Sequence, residues 1–195
     1  MYKGQAILIV LGAGVYYLVF PSHFDLSMST FIKLTQGQMV AMGQVAPSVE
    51  ELRSLLIMQM IIAVLLAPIL NFIACLGEEL GWRGFLLPTL NEKYSYLKST
   101  IKSGVIWGIW HAPMIAMGHN YGLGYFGAPW GGILAMIVFC VVVSAFLSYM
   151  TFKTKSCIPA VLSHGMINGF ASFSTVFIAA VSYTHLRAHE TRHDL

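Results

Sequence analysis

The chain is organised around one stretch, Gly77-Glu78-Glu79-Leu80-Gly81-Trp82-Arg83-Gly84. It directly follows a long apolar run, residues 55–76, which is broken only by Gln59, Pro68 and Asn71. Ionisable groups at membrane depth are energetically costly, and they are therefore functional-site candidates by default. The stretch thus predicts a membrane helix that carries a functional site at its end.

The two adjacent carboxylates of this stretch are predicted to have different partners. On a helix, Glu79 and Arg83 are four residues apart and can form an ion pair. Glu78 lies about 100° around the helix axis and can point elsewhere. We therefore expect Arg83 to hold one carboxylate while the other stays free for chemistry.

The composition is that of a membrane protein. Of the 195 residues, 57% are hydrophobic and 10% are charged, and the mean hydropathy is +0.72. Backbone polar groups in lipid have to be satisfied within the protein, which predicts an all-α polytopic transmembrane bundle. The formal net charge of +3 does not indicate a nucleic-acid partner. Cys75 and Cys140 lie in apolar runs and are expected to be buried thiols.

About five membrane helices are predicted. They cover residues 6–20, 55–76, 103–117, 130–152 and 158–181. Ser48 and Glu51 form a capping box, from which one helix is expected to run into the Glu-Glu stretch, with a kink at Pro68. Residues 23–43 are predicted to be an extramembrane loop with an amphipathic helix. Residues 91–102 are predicted to form a polar connection, and residues 118–129 are predicted to form a Gly-rich aromatic loop.

The sequence divides into three parts: residues 1–51 with the first helix and the extramembrane loop, residues 52–181 with the membrane core, and a tail at residues 182–195. The tail carries three histidines at four-residue spacing, His185, His189 and His193. Its composition changes abruptly to charged, and it resembles a translated sequencing adapter that recurs at the ends of unrelated assembled genes. We exclude it from the fold and expect the natural chain to be cut near Ala180, with later helices missing.

The lysines predict the orientation of the chain. With a cytoplasmic N-terminus, the inside segments hold Lys3, Lys93, Lys98, Lys102, Lys153 and Lys155. The outside loops then hold only Lys33 and Arg53. The positive-inside rule therefore favours a cytoplasmic N-terminus.

Three polar sets lie in apolar surroundings and are predicted to meet at one depth. They are Glu78 with Glu79 and Arg83, then His111, then His164 with Asn168. His111 is nine residues past Lys102, and His164 is nine past Lys155, so both lie roughly 13 Å from the cytoplasmic side. Glu78 lies on a helix that descends toward the same side.

These groups are suited to hydrolysis without a Ser or Cys nucleophile. A carboxylate and a histidine can bind and deprotonate water. A second histidine and an amide can donate hydrogen bonds to an oxyanion. Glu78, His111 and His164 could instead hold zinc, which accepts these ligand types.

Structural interpretations of the same residues remain open. A single intramembrane histidine often forms a helix–helix hydrogen bond, and the Glu79–Arg83 pair can be purely structural. Trp107 and Trp110 are expected to be packing or interfacial aromatics. Purely structural roles are less favoured because the three polar sets lie on successive helices at matching depth.

The three motifs and their order along the chain are specific enough to indicate a family. Glu78-Glu79-x-x-x-Arg83, a motif ending in His111, and His164-x-x-x-Asn168 resemble the CPBP family. This is the CAAX protease and bacteriocin-processing family of intramembrane proteases, also called the Abi family, which includes the type II CAAX prenyl endopeptidases. The resemblance covers about residues 52–180. The second motif is usually Phe-x-x-x-His in that family, and here it is Trp107-x-x-x-His111.

The resemblance implies an intramembrane endopeptidase for a peptide or protein substrate in or at the lipid bilayer. It implies that Glu78 activates water with help from His111 and that His164 and Asn168 stabilise the oxyanion. It also implies that the predicted ion pair positions the first motif, and that the Glu79 carboxylate can join the site. It also implies a bacterial plasma-membrane protein of peptide processing or bacteriocin self-immunity. A glutamate mechanism without metal and a zinc mechanism both remain open.

Two other functions are compatible with the sequence. Carboxylate–histidine chains also serve proton-coupled transporters, although those usually show internal repeats, and none is seen here. A non-catalytic membrane scaffold or immunity protein that binds a partner is the second alternative. Glu78→Ala separates the alternatives, because a scaffold keeps its biological effect in this variant and a protease loses it.

Overall fold

The computed structural model describes residues 3–170 and 173–179, and within them the chain is helical apart from one isolated β-bridge. The helices are α1 Lys3–Val19, α2 Ser29–Ala41, α3 Val49–Leu70, α4 Phe72–Glu79, α5 Leu87–Asn91, α6 Tyr96–Trp110, α7 Ala112–Ala116, α8 Trp130–Thr154, α9 Ile158–Phe170 and α10 Phe173–Val176. A 3₁₀ turn covers Pro21–His23, and a π-helical segment covers Leu80–Leu86. The predicted all-α class is confirmed.

The helices divide into two compact units. The first contains residues 67–168 and therefore holds α4 to α8, the end of α3 and most of α9. The second contains residues 3–66 together with the described residues between Gly169 and Ala179. All six predicted site residues lie in the first unit. The predicted part boundaries at residues 51 and 181 stay predictions.

The second unit is held by a small apolar core and by capped helix starts. Met28, Ile32, Leu52 and Val176 are buried together. The predicted capping box is present: the Ser48 N–H and hydroxyl each donate to Glu51 at 2.8 Å, and the Glu51 N–H donates to Ser48 Oγ at 3.3 Å. These bonds, led by the one from the Ser48 backbone, lower the pKa of Glu51 below its usual value.

The first unit is built on a close pair of helices, α6 and α8. A Cβ atom added to Gly104 would lie 2.6 Å from the Cα of Val141, and one added to Gly108 would lie 2.5 Å from the Cα of Ile137. The two backbones can approach this closely only because both positions are glycine, as in small-residue interfaces of membrane helices. The pair thereby fixes the position of Trp107, which lies between the two glycines in sequence and is 2% exposed.

Only one helix in the described part of the chain is long and apolar enough to cross a membrane by length and composition. It is α8, Trp130–Thr154, with a mean hydropathy of 2.6 in its most apolar window. Its start agrees with the predicted span at residues 130–152. The α1 helix matches the predicted first span, residues 6–20, but is shorter than a full crossing. The number of five membrane spans stays a prediction.

The second predicted span is interrupted at Asn71, three residues after Pro68, where a kink is predicted. α3 ends at Leu70 and α4 begins at Phe72, with Asn71 between them. Pro68 carries no N–H to continue the ladder. The Asn71 side-chain amide donates to the Ala67 carbonyl at 2.9 Å and to the Gly165 carbonyl at 3.3 Å, which ties the break to α9.

Two further boundaries differ from the prediction. The polar connection predicted at residues 91–102 is helical from Tyr96, and its Ser99 and Thr100 are buried on α6 instead of lying in a solvated loop. Within the described residues, the helix predicted at residues 158–181 is helical over Ile158–Phe170 and Phe173–Val176. Residues 177–179 are not helical, and Ile178 forms an antiparallel bridge with Phe24. The chain beyond residue 179, with His185, His189 and His193, lies outside the described residues.

Candidate active site

A buried charge cluster forms the centre of the first unit. We define it by Glu79, Arg83, Ser144 and His164. Glu79 Oε1 accepts hydrogen bonds from Arg83 Nη1 and from His164 Nδ1, both at 2.9 Å. Arg83 Nη2 donates to Ser144 Oγ on α8 at 2.9 Å. Glu79 is 0% and Arg83 1% exposed, so each charge depends on the other for its stability in the interior.

The charge cluster fixes the protonation pattern of His164. A carboxylate that is paired with an arginine accepts hydrogen bonds only, so Nδ1 of His164 carries the proton in this contact. Nε2 of the same ring is then the atom left for substrate or water. The predicted Glu79–Arg83 ion pair is therefore present, and it includes a third partner that the sequence did not indicate.

The site stretch itself adopts an unusual backbone. Leu80–Leu86 is π-helical, and the Leu87 N–H bonds back to the Trp82 carbonyl. Single π-turns inside α-helices are rare and are frequent at functional sites. Glu79 is the last residue of α4, and Arg83 lies within the π segment, yet the four-residue spacing still allows the ion pair.

Glu78 lies outside the charge cluster. It is half-buried, and its Oε2 accepts hydrogen bonds from Trp107 Nε1 at 3.1 Å and from Trp82 Nε1 at 3.4 Å. The two carboxylates thus have different partners, as predicted. Two indole N–H groups hold Glu78, and no cation among the described residues pairs with it, so its freedom for chemistry stays a prediction.

His111 lies at the break between α6 and α7. Its Nδ1 donates to the Trp107 carbonyl at 2.8 Å, and the Cys140 sulfur lies 4.0 Å from the same nitrogen. A carbonyl oxygen only accepts, so Nδ1 carries a proton, and Nε2 remains as the acceptor of the neutral ring. His111 and Glu78 are therefore linked through one residue, Trp107.

Asn168 is the predicted site residue that the structure brings least close to the others. Its side chain is exposed, and its amide donates to the Cys75 sulfur at 3.6 Å. Among the described residues it makes no hydrogen bond to Glu78, His111 or His164. It shares α9 with His164, one turn further along.

Trp107 is the residue that the sequence interpretation missed. Its indole donates to Glu78, its ring centroid lies 4.5 Å from the Arg83 guanidinium carbon, and its ring packs edge-on against His164 at 5.1 Å. It was expected to be a packing aromatic. The signal in the sequence was its place between Gly104 and Gly108, whose spacing indicates a close helix pair.

A groove of about 510 Å³ opens beside Glu78. It is lined by Gly77, Glu78, Gly81, Trp82, Phe85, Leu86, Ile106 and Trp110. Glu78 is the only ionisable residue of this lining, and the remaining walls are glycine, aromatic and aliphatic. A larger groove, about 790 Å³, lies in the second unit around residues 45–55 and contains no histidine.

The residues do not fit the predicted zinc site. Within residues 3–170 and 173–179, no three side chains of His, Cys, Asp or Glu are grouped so that they could share a metal ion. The predicted ligands Glu78, His111 and His164 each contact Trp107 instead of converging on one another. We derive no step through zinc, and its involvement stays a prediction.

Comparison with known proteins gives the family. Residues 53–170 match the model of the Rce1-like type II CAAX prenyl endopeptidase family. The chain belongs to this family. All six predicted site residues lie within the matched segment, and the resemblance to CAAX proteases is confirmed. The Rce1-like family consists of integral membrane proteases.

A curated relative of this Rce1-like chain is CAAX prenyl protease 2 from Methanococcus maripaludis. The two are 34% identical over 101 residues, which cover 51% of this chain and 37% of the relative. The match therefore spans little more than a third of the relative's length. No solved structure matches this chain.

Proposed function

We propose that this protein is an intramembrane endopeptidase in which Glu78, aided by His111, activates a water molecule for hydrolysis of a peptide bond. The position of Glu78 is the observation that carries the proposal. Its carboxylate lines a groove, and its hydrogen bonds come from indole N–H groups, whereas Glu79 is paired with a cation. A carboxylate that no cation neutralises keeps its capacity to accept a proton from water.

We assign the following steps of peptide-bond hydrolysis to these residues. Glu78 accepts a proton from water, the water oxygen bonds to the carbonyl carbon of the substrate, and the carbonyl electron pair moves to oxygen. His111 accepts a hydrogen bond from the same water through Nε2 and orients it. The tetrahedral intermediate then expels the amine as the C–N bond breaks, and the proton held by Glu78 goes to the leaving nitrogen.

His164 and Asn168 are assigned to the oxyanion of the intermediate. The Nδ1 proton of His164 is committed to Glu79, so His164 donates to the oxyanion through Nε2 in its doubly protonated form. Asn168 would have to turn from Cys75 to contribute its amide. Glu79 and Arg83 position His164, and Arg83 also packs on Trp107.

The groove indicates the substrate class. Its walls include Trp82, Phe85, Ile106 and Trp110, which favour an apolar group next to the scissile bond. The Methanococcus maripaludis relative carries the name of a CAAX prenyl protease, in keeping with such a group. We place the protein in a bacterial plasma membrane, with a cytoplasmic N-terminus and α8 as one crossing helix, and assign it to peptide processing or bacteriocin self-immunity.

The test is cleavage of matched CAAX peptides, with and without a prenyl group, by the purified protein in lipid nanodiscs. Glu78→Ala and His164→Ala are expected to lower the rate by about a hundredfold or more. A chelator is expected to leave the wild-type rate unchanged. Trp130→Phe is the matched control, because Trp130 is 71% exposed and lies outside both the charge cluster and the groove.

Three outcomes would contradict the proposal. Loss of cleavage with chelator and recovery with zinc would replace the glutamate mechanism by a metal mechanism. No cleavage of any peptide by a folded preparation would favour a binding or immunity role. A biological effect that survives Glu78→Ala would also indicate a scaffold.

A further inference from the structure

The Trp107 indole contacts four of the charged and histidine side chains of the site. It is 2% exposed, and Glu78, Arg83, His111 and His164 all contact it through a hydrogen bond or a ring. Trp107 is connected to Glu79 indirectly, because Arg83 packs over the indole and forms the ion pair with Glu79. A residue with these contacts influences the geometry of the whole site.

The contact with Glu78 is chemically distinct from the others. The indole Nε1–H donates to Oε2 at 3.1 Å, and the Trp82 indole donates to the same oxygen from the longer distance of 3.4 Å. Glu78 Oε1 receives no hydrogen bond from the described residues. The two carboxylate oxygens are therefore distinguished: Oε2 is held by indoles, and Oε1 is left to accept the proton of the water.

The neighbouring helices hold the Trp107 side chain in place. The close approach of α6 to α8 at Gly104 and Gly108 leaves little space for α6 to slide. Arg83 packs over the indole at 4.5 Å and is itself tied to α8 through Ser144. The donor to Glu78 is therefore preorganised, which is the condition under which a single hydrogen bond orients a reacting group.

We propose that Trp107 is a positioning residue that orients the Glu78 carboxylate through its indole N–H. This inference rests on the proposed function for its effect on rate, but the hydrogen bond itself can be tested without activity. Phenylalanine at this position would offer no hydrogen-bond donor. Trp107→Phe keeps an aromatic ring and a surface for Arg83, and removes the donor.

The rate test separates positioning from binding. Trp107→Phe is expected to lower kcat about tenfold to a hundredfold, the range for loss of a hydrogen bond to a charged group, while KM changes less than about twofold. Trp82→Phe is expected to have a smaller effect, because its bond to the same oxygen is longer. Trp130→Phe controls for the loss of a tryptophan and is expected to leave kcat unchanged.

A spectroscopic test applies whether or not the protein cleaves the chosen peptide. The chain has four tryptophans, so the indole ¹H–¹⁵N resonances can be assigned by replacing them one at a time. Glu78→Gln keeps Trp107 and the fold but removes the negative charge that its indole faces. We expect the Trp107 indole resonance to shift most, that of Trp82 less, and that of Trp130 not at all.

The two tests together decide the proposal. A shifted Trp107 resonance with a reduced kcat in Trp107→Phe supports it. An unshifted resonance overturns it, even if the rate falls, because the loss would then come from packing. A shifted resonance with an unchanged kcat also overturns it, because the bond would exist without orienting the reaction. A folded wild type without cleavage refutes the endopeptidase and, with it, the role of Trp107 in the rate, while the resonance still shows whether the hydrogen bond exists.

Discussion

Glu78 and Glu79 are adjacent in sequence, yet their carboxylates lie in two regions that offer different kinds of hydrogen-bond partner. Glu79 is fully buried in the charge cluster and shares one oxygen between a guanidinium and an imidazole. Glu78 lines the groove, where indoles are its hydrogen-bond donors. A buried charge has to be paired to be tolerated, whereas a half-buried one can remain reactive. This difference supports the proposal that Glu79 has a structural role and Glu78 a catalytic one.

The largest expected effect on stability comes from breaking the charge cluster. Arg83→Met removes the guanidinium that pairs with the buried Glu79 carboxylate, as well as the link to Ser144, so the free energy of unfolding should fall by about 3–5 kcal/mol. Reversible unfolding in mixed micelles measures this change. The double variant Glu79→Gln with Arg83→Met is the control and should recover part of the loss. A loss below about 1 kcal/mol in Arg83→Met would contradict the structural role of the Glu79 ion pair, on which the distinction between the two carboxylates depends.

A smaller loss is expected where α6 meets α8. Gly104→Ala places a methyl group against the Val141 backbone, so the helices have to separate, and stability should fall by about 1–3 kcal/mol. Because α6 carries Trp107, the cleavage rate should fall as well. Gly14→Ala in α1 is the matched control, since its added methyl group meets nothing within 4 Å. Equal effects of the two substitutions would show that the close approach does not position the site.

Ser144 tests the outer part of the charge cluster. Ser144→Ala removes the acceptor of Arg83 Nη2 while leaving the ion pair intact, so the free energy of unfolding should fall by about 1–2 kcal/mol. Ser148→Ala is the control, because Ser148 is equally buried on the same helix and its hydroxyl has no hydrogen-bond partner within the described part of the chain. A greater loss from Ser148→Ala than from Ser144→Ala would contradict the assignment.

The smallest effect is expected in the groove. Phe85 lines the groove, and Phe85→Ala should raise KM about two- to fivefold for a substrate with an apolar group while kcat stays the same. Phe126→Ala is the control, since Phe126 is fully exposed and does not line the groove. An unchanged KM in steady-state cleavage of the prenylated peptide would place the substrate elsewhere.

Local patterns in the sequence predicted several contacts correctly. The Ser48–Glu51 capping box, the Glu79–Arg83 pair and the start of α8 at Trp130 all depend on residues within one or two helical turns. Four-residue spacing and an apolar run with an aromatic start are sufficient signals for such features.

The remaining features depend on residues distant in sequence. Trp107 meets Glu78 across 29 positions, and Arg83 meets Ser144 across 61, so no periodicity within one helix indicates either contact. Ser99 and Thr100, which are buried on α6, were predicted to lie in a polar connection because such side chains are usually solvated. The π-helical segment at Leu80–Leu86 likewise has no sequence signature beyond its glycines.

The most direct test of the account compares Glu78→Gln with Glu79→Gln in one preparation, measuring kcat and the free energy of unfolding for each. Glu78→Gln should lower kcat by about a hundredfold to ten-thousandfold and change stability by less than about 1 kcal/mol. Glu79→Gln should lower stability by about 3–5 kcal/mol, because Arg83 loses its counter-charge. The reverse pattern, with Glu78→Gln destabilised and active and Glu79→Gln stable and inactive, would contradict the division of roles between the two carboxylates.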